Sequence, residues 1–582
     1  MPLVPVNTET NPSLATYKIF SEGTELPASV GVAMISVQKA INKIPSARLV
    51  LFDGDVSEGD FELSGGNLFV PGNEIEIKAG YNAIEETLFK GIIIRHGLEV
   101  SEKASKLSID LKDPFVKMTV GRKNKYFFDS KDSEIIEEII GSYSGLSAEI
   151  EATGVTHPEM VQYYVTDWDF ILTRAEVNGK ISLVEDGSLK IQKPETSAEA
   201  KLELQFGVNV VEFHAEMDVR TQYSTSKSIS WDLASQELRE AEASDPGMDF
   251  QSNLSGSQLA DVIGLSDFRL QHSGGLDDQE LQAWADAKLM RSRLSKIQGQ
   301  VKILGDNTIR PGDMVSLTGF GDRFNGKAFV SSVYHEISPN RKWYTHLGLG
   351  LDSRFISSLY DDVLDVPAAG LLPAIQGLQI GKVTSLEDPL GENRVKIFIP
   401  IIDPSSEGTW ARLASPDAGE ERGIFFMPEI GDEVIVGFVN EDPRDAIILG
   451  KLYSSAKQGP FTQNDDNHQK GIVTRSELKL VFDDEKKSIT IETPNGNKII
   501  ISDEKGSILL EDENGNKASL RADGITLESA KDILMKASGD VKIEGTNVEV
   551  KASAQLKAEG GAGAELSSSG STVVKGSIVQ IN

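Results

Sequence analysis

The sequence predicts a mainly β protein in three parts: a strand-rich first part with short helices, a small closed barrel, and a C-terminal rod of repeated short strands. Three observations carry this reading. Apolar and polar residues alternate in run after run of the first 370 residues. Residues 379–453 hold a close series of short strand-like runs separated by Pro, Gly and Asp turns. Towards the C-terminal end an apolar unit recurs, with Ile525, Ile533, Val541 and Val548 lying 8, 8 and 7 residues apart.

In the first part, EIEIKAGYNAIEETLFKGIIIR (residues 74–95) reads as two strands around a polar stretch containing Gly80. Ile135, Ile136, Ile139, Ile140 and Tyr143 fall at helical spacing with Gly145 as a stop, which predicts a helix over residues 130–143. A second helix is predicted over 168–178, opened by Thr166 with Asp169 three residues on and closed at Gly179. A third runs over 278–295 behind Asp277 and Glu280, burying Leu281, Trp284, Ala285 and Leu294. Residues 235–275, rich in Ser, Gly, Asp and Gln, read as a long and partly mobile loop or insertion. Pro367 and Pro373, around Ala368-Ala369-Gly370, mark a boundary.

The middle part contains QIGKVTSL, RVKIFIPI, TWARLA, GIFFMP, DEVIVGFV and AIILGKLY, with turns at Asp388-Pro389-Leu390-Gly391 and Glu441-Asp442-Pro443. Five or six such strands suit a small closed barrel of the OB type. Phe398, Trp410, Phe425, Phe426 and Phe438 are interspersed with aliphatics, which assigns them to the barrel core, Trp410 and Phe426 above all. The loops carry Asp417, Glu420, Glu421, Glu441 and Asp442, which argues against an oligonucleotide on this barrel.

The last part opens with SITIET, NKIIIS, GSILLE and NKASLR, turned at Asn495-Gly496 and Asn514-Gly515. GITLESAK, DILMKASG, DVKIEGT and NVEVKASA follow. Such strands are apolar on one face only, and a single file of them has nothing of its own to bury against. Several intertwined chains solve this, with Ile525, Ile533, Val541 and Val548 as the shared shaft core; the competing arrangement is a β-solenoid of one chain. A dozen or so strands, each rising ~4.8 Å, make a rod of roughly 60 Å. At the end, STVVKGSIVQIN reads as two final strands hinged at Gly576.

Composition narrows the chemistry. With 39% hydrophobic and 25% charged residues, the chain can form packed cores. A net charge of -31 argues against nucleic acid or anionic lipid held through a general basic surface. There is no cysteine, so neither a disulfide scaffold nor a thiolate site is available. No run approaches the ~20 apolar residues that span a bilayer, and the N-terminal stretch lacks a signal-peptide layout. His96, His157, His214, His272, His335, His346 and His468 are scattered, without a helical His-Glu zinc pattern. Asp167 and Asp169 are explained by capping. GFGDRFNG (residues 319–326) lacks the Gly-Lys-Ser/Thr ending of a phosphate loop and reads as a hairpin turn, and no G-x-S-x-G occurs. No catalytic, cofactor or metal site is therefore expected.

Several stretches resemble the VgrG-like spike proteins of contractile injection systems, which look like a fusion of a contractile phage's baseplate hub and central spike. They are FKGIIIR (89–95), QYYVTDWDFILTRAEVNG (162–179), IRPGDMVSLTGFGDRFNGKAFVSSVYHEIS (309–338), RVKIFIP, WARLASPDAG (410–419), FMPEIGDEVIVGF (426–438) and EDPRDAIILGKLY. The resemblance implies a hub over 1–370 made of two related β-barrels with insertions. It further implies an OB-fold neck over 375–455 and a trimeric β-prism or β-helix shaft over 456–582. It implies a homotrimer that links the hexameric tube protein and baseplate components to a PAAR-repeat tip protein. That tip would be bound by Val573, Val574, Lys575, Gly576, Ile578, Val579, Gln580, Ile581 and Asn582. The target membrane would be pierced mechanically, without a lipid site. Such a chain is made and assembled in the cytoplasm and expelled with the particle. Tyr453 leads into the repeats without an inserted lysozyme domain and the sequence stops at Asn582, so no enzyme is expected. The competing reading is a trimeric adhesive or carbohydrate-binding fibre, which would call for exposed aromatics late in the chain. None follows Phe482.

Overall fold

The computed structural model describes residues 14–232, 234–248, 251–340, 342–363 and 368–581, and the chain divides into two compact units between Ala374 and Ile375. Residues 1–13, where no signal-peptide layout is read, and Pro367 lie outside the described residues.

A 13-stranded sheet runs through the first unit. In one half, Val32–Ala40, Ser46–Phe52, Ser105–Lys112, Ile84–Val100, Glu74–Tyr81 and Thr16–Ser21 are successive antiparallel neighbours. In the other, Val210–Met217, Ile297–Leu304, Trp343–Leu349 and Gly326–Ile337 pair in the same way. The long strand Gly326–Ile337 joins the halves, pairing with Met314–Thr318 near its start and with Val32–Ala40 near its end. Each half has its own apolar cluster, one around Leu49, Ile75, Ile77 and Ile109, the other around Val301, Leu317, Val330 and Leu347. The two barrel subdomains therefore share one sheet.

Alternation explains the strands. In Glu74–Tyr81 the residues Ile75, Ile77 and Ala79 are buried and the residues between them largely are not. The turn to the next strand is made by Asn82 and Ala83, at φ 55° and 61°. Gly80 lies in the strand itself, where a Cβ would fall 1.7 Å from the Ile84 carbonyl oxygen.

The helices begin close to where capping residues place them. In Asp167–Val177 the Thr166 hydroxyl accepts from the Asp169 backbone N–H at 3.1 Å. In Asp278–Leu294 the Asp277 carboxylate accepts from Gln279, and Glu280 closes no capping box. Asp132–Gly141 buries Ile135, Ile136, Ile139 and Ile140.

The stretch at residues 235–275 is a correction. Its described residues include two strands, Glu237–Glu242 and Asp267–His272, which flank Thr225–Asp232, and a helix, Gly256–Ile263. Ser255 and Gln258 form its capping box, and Gly264 at φ 73° ends it. Local composition misled because the stretch is organised by its neighbour: its two strands flank Thr225–Asp232, in which Ser226, Ser228 and Ser230 are buried along with Ile229. Ser228 donates to the Leu281 carbonyl of the covering helix at 2.6 Å. Serine is counted as a loop former, yet here its small side chain allows close approach.

In the second unit, Gln379–Ser385, Arg394–Phe398, Thr409–Leu413, Ala446–Lys451 and Glu433–Phe438 close a barrel in that order. Of GIFFMP (residues 423–428) only Gly423 lies in a strand, Arg422–Gly423, which pairs with Ala418–Gly419. Seven strands then form an antiparallel meander in chain order, from Gln469–Val473 to Gly524–Glu528. Beyond Glu528 no described residue lies in a strand. The chain instead bends at residues 530–531, 538–539, 546–547, 553–554, 561–562, 569–570 and 577–578, a step of eight with a single seven.

Candidate functional site

The meander has an inverted burial pattern. In Ser488–Glu492 the two isoleucines are the exposed positions, and Ser488, Thr490 and Glu492 are partly covered. Strand register lines up these apolar residues: Ile489 faces Ile501, Ile501 faces Ile508, and Ile508 faces Leu520. A parallel row joins Ile491, Ile499, Leu510, Ala518 and Leu527. That row and Ile533 line one open groove. An apolar face of this extent is costly to leave in water.

The opposite face carries a charge ladder. Lys479 stands opposite Glu492, Glu492 opposite Lys498, Lys498 opposite Glu511, Glu511 opposite Lys517, and Lys517 opposite Glu528. Glu511 is bridged to Lys498 at 3.0 Å and to Lys517 at 3.1 Å. Hydrogen bonds from these two lysines hold its carboxyl below the ordinary value. Sequence reasoning missed this ladder, although the signal was present as Lys and Glu alternating at strand ends.

The expected shaft-core residues are exposed within one chain: Ile525 at 73%, Ile533 at 56%, Val541 at 58% and Val548 at 57%. Each is the first of an alternating pair, with Leu527, Met535, Ile543 and Val550 two residues on. Leu556 and Leu566 continue the rows of such pairs. At the chain end Val573, Val574, Ile578, Val579 and Ile581 are exposed. Lys575, Gly576 and Gln580 lie among them, also exposed. The bend there falls at Ser577 and Ile578, one residue past the expected glycine hinge, and Asn582 lies outside the described residues.

The barrel aromatics are a second correction. Its core is Val383, Val395, Ile397, Ala411, Val434, Val436, Ala446 and Ile448. Trp410 precedes the inward Ala411 and so faces outward, under the Arg394 and Lys396 cations at 5.7 and 5.8 Å. Phe425 and Phe426 are exposed, at 74% and 53%. Phe398 is half-buried, and Phe438 packs against the core from its edge. Counting aromatics as core ignored strand parity.

In the first unit Asp167 does more than start a helix. It is buried and accepts from Lys123 and Tyr143 at 2.6 Å and from Gln162 at 2.8 Å. Burial alone would raise its pKa, but these donors lower it. Asp132 is likewise buried, yet His157, Arg174 and Asn178 hold its carboxyl well below the usual range. Both are satisfied carboxylates that tie helices to strands. Among the described residues no His, Asp and Glu group is arranged to hold a metal ion, and no helix is long and apolar enough to cross a membrane.

Residues 11–339, more than half of the chain, match the Alg8 N-terminal domain family. Residues 379–453 match the type VI secretion system/phage-baseplate injector OB domain, and 488–557 match the phage baseplate V C-terminal trimerisation domain. Among curated proteins, the type VI secretion system spike protein VgrG1b of Pseudomonas aeruginosa is 25% identical over 39% of this chain and 32% of its own length. The spike protein VgrG3 of Vibrio cholerae is 32% identical over 20% of this chain and 13% of its own. The chain thus spans about a third or less of the length of these relatives. A prophage tail protein from Shewanella oneidensis matches with a TM-score of 0.45 and 11% identity, over 58% of this chain and 99% of that one.

Proposed function

The chain belongs to the Alg8 N-terminal domain family and, with an injector OB domain and a trimerisation domain behind that region, is a VgrG-like spike protein; from this premise we propose that three copies intertwine into the central spike of a contractile injection apparatus. The first unit serves as the hub that seats the trimer on the tube ring and baseplate. The barrel is the neck, and residues 456–582 are the shaft. A PAAR-repeat protein caps the end formed by residues 573–582, and the assembly pierces the target membrane mechanically when it is expelled.

One observation supports this reading above the others. The meander and the bent segment after it turn their apolar residues outward within a single chain, and identical copies are the partners that the same repeat can meet in register. Strands stacked across the shaft axis spread axial load over many hydrogen bonds. The test is a solution mass. A value near three times 63.2 kDa agrees with the proposal, and a monomer rejects it. Removal of residues 573–582 should leave the trimer intact and abolish co-purification of the tip protein. Undiminished binding by the truncated trimer would place the tip site elsewhere.

A further inference from the structure

We infer that the charge ladder of the meander continues through the bent C-terminal segment as contacts between copies, and that it fixes the stagger of the three chains at one eight-residue unit. The inference rests on the trimer proposed above. Each unit places two outward residues beside its inward apolar pair, because neighbours along an extended chain point to opposite faces. In successive units these are Lys542 and Glu544, then Glu549 and Lys551, then Lys557 and Glu559, then Glu565 and Ser567. The signs reverse from one unit to the next all down the first column, and down the second as far as Glu559. The second column also begins from the ladder seen in the meander, since Lys517–Glu528 is followed by Lys536, Glu544, Lys551 and Glu559 at the unit spacing. Lys557 and Glu559 form an ion pair, which puts both outward residues of that unit on one side.

Geometry says where the partners come from. If each bend carries a chain to the next of three faces, symmetry places above any unit the following unit of a neighbouring copy, ~4.8 Å higher. Every Lys then meets a Glu of another chain in the same column. The apolar pairs cannot choose this register, because they repeat in every unit and a slip by one unit restores them. The charges repeat only every second unit, so such a slip sets like on like throughout.

The column Lys542, Glu549, Lys557 and Glu565 offers a test, because uncharged Leu534 and Val573 flank it. In the full-length chain, E549K/E565K makes the column all lysine. The exchange K542E/E549K/K557E/E565K keeps signs alternating between units but puts like charges together within each of the three units from 542 to 559. We expect the first variant to lower the melting temperature of the shaft by several degrees at low salt and the exchange to recover most of that loss. Added salt should shrink the difference. If the exchange melts no higher than E549K/E565K while both remain trimers, the ladder does not pair neighbouring copies. If the parent chain is a monomer by mass, the trimer itself falls, and this inference with it.

Discussion

Glu74–Tyr81 in the first unit and Ser488–Glu492 in the meander are written in the same alphabet, with an apolar residue at every second position and two isoleucines in each. Their burial is opposite. Ile75 and Ile77 are fully buried, whereas Ile489 and Ile491 are 37% and 49% exposed. Local pattern is therefore the same in both regions, and the difference lies in the second layer. The first unit supplies that layer from its own chain, by gathering the inward residues of its sheet into two buried clusters. The meander is one layer of seven strands and has none. Alternation tells which residues turn inward, but whether the inside belongs to one chain or several depends on what else that chain can fold against it.

The largest effect that would separate the two regions comes from a charge in the shaft. In the proposed trimer, Ile533→Asp or Val541→Asp would place three carboxylates in one narrow apolar core and should cost more than ~5 kcal/mol per trimer. The first unit should keep its own unfolding transition. Shaft melting should also depend on protein concentration, which that of the first unit should not. An aspartate variant that stays trimeric with unchanged melting would show that these residues do not meet in a shared interior.

A smaller effect acts in the opposite direction, on the first unit alone. His335 is buried in the strand that joins the two halves, with Nδ1 3.0 Å from the Thr345 hydroxyl. Burial first, then the charges of Lys39 and Arg310 and the nearby His346, pulls its pKa down to about 3. The unfolded chain takes up this proton near pH 6.5, whereas the folded chain resists it down to about 3. Stability from this group is thus full above pH 6.5 and drains away as the pH falls towards 3. Between pH 6.5 and 5, the first unit should lose about 2 kcal/mol, measurable by denaturant titration at the two values. His335→Gln should flatten that dependence. Residues 456–582 hold a single histidine, His468, ahead of the first meander strand, so the shaft should change less over the same interval.

Much of this contrast was legible in the sequence. The three parts, the helices capped at Thr166 and Asp277, the barrel strands and the eight-residue repeat all rest on local periodicity and capping, which survive in the fold. What was misread depends on partners far along the chain. Residues 235–275 read as a loop from their Ser, Gly, Asp and Gln content, yet two of their segments pair with Thr225–Asp232, which packs on a helix that starts at residue 278. DILMKASG and DVKIEGT read as strands, yet within one chain they join no ladder. The charge ladder was overlooked because opposite signs acquire meaning only once register is known.

The barrel lies between these extremes, and the smallest expected effects decide to which side it belongs. Its inner face is complete within one chain, from Val383 to Ile448. Trp410 and Phe426 are on the outside, so Trp410→Ala should cost only about 1 kcal/mol, the worth of a half-buried ring beneath two cations. Phe426→Ala should change the intrinsic stability of the barrel by less than ~0.5 kcal/mol. A loss of ~3 kcal/mol or more that is independent of protein concentration would return these rings to the barrel core. A loss that appears only as the protein is diluted would instead place Phe426 between copies. The barrel would then follow the shaft, with a patch that is exposed in one chain and covered in three.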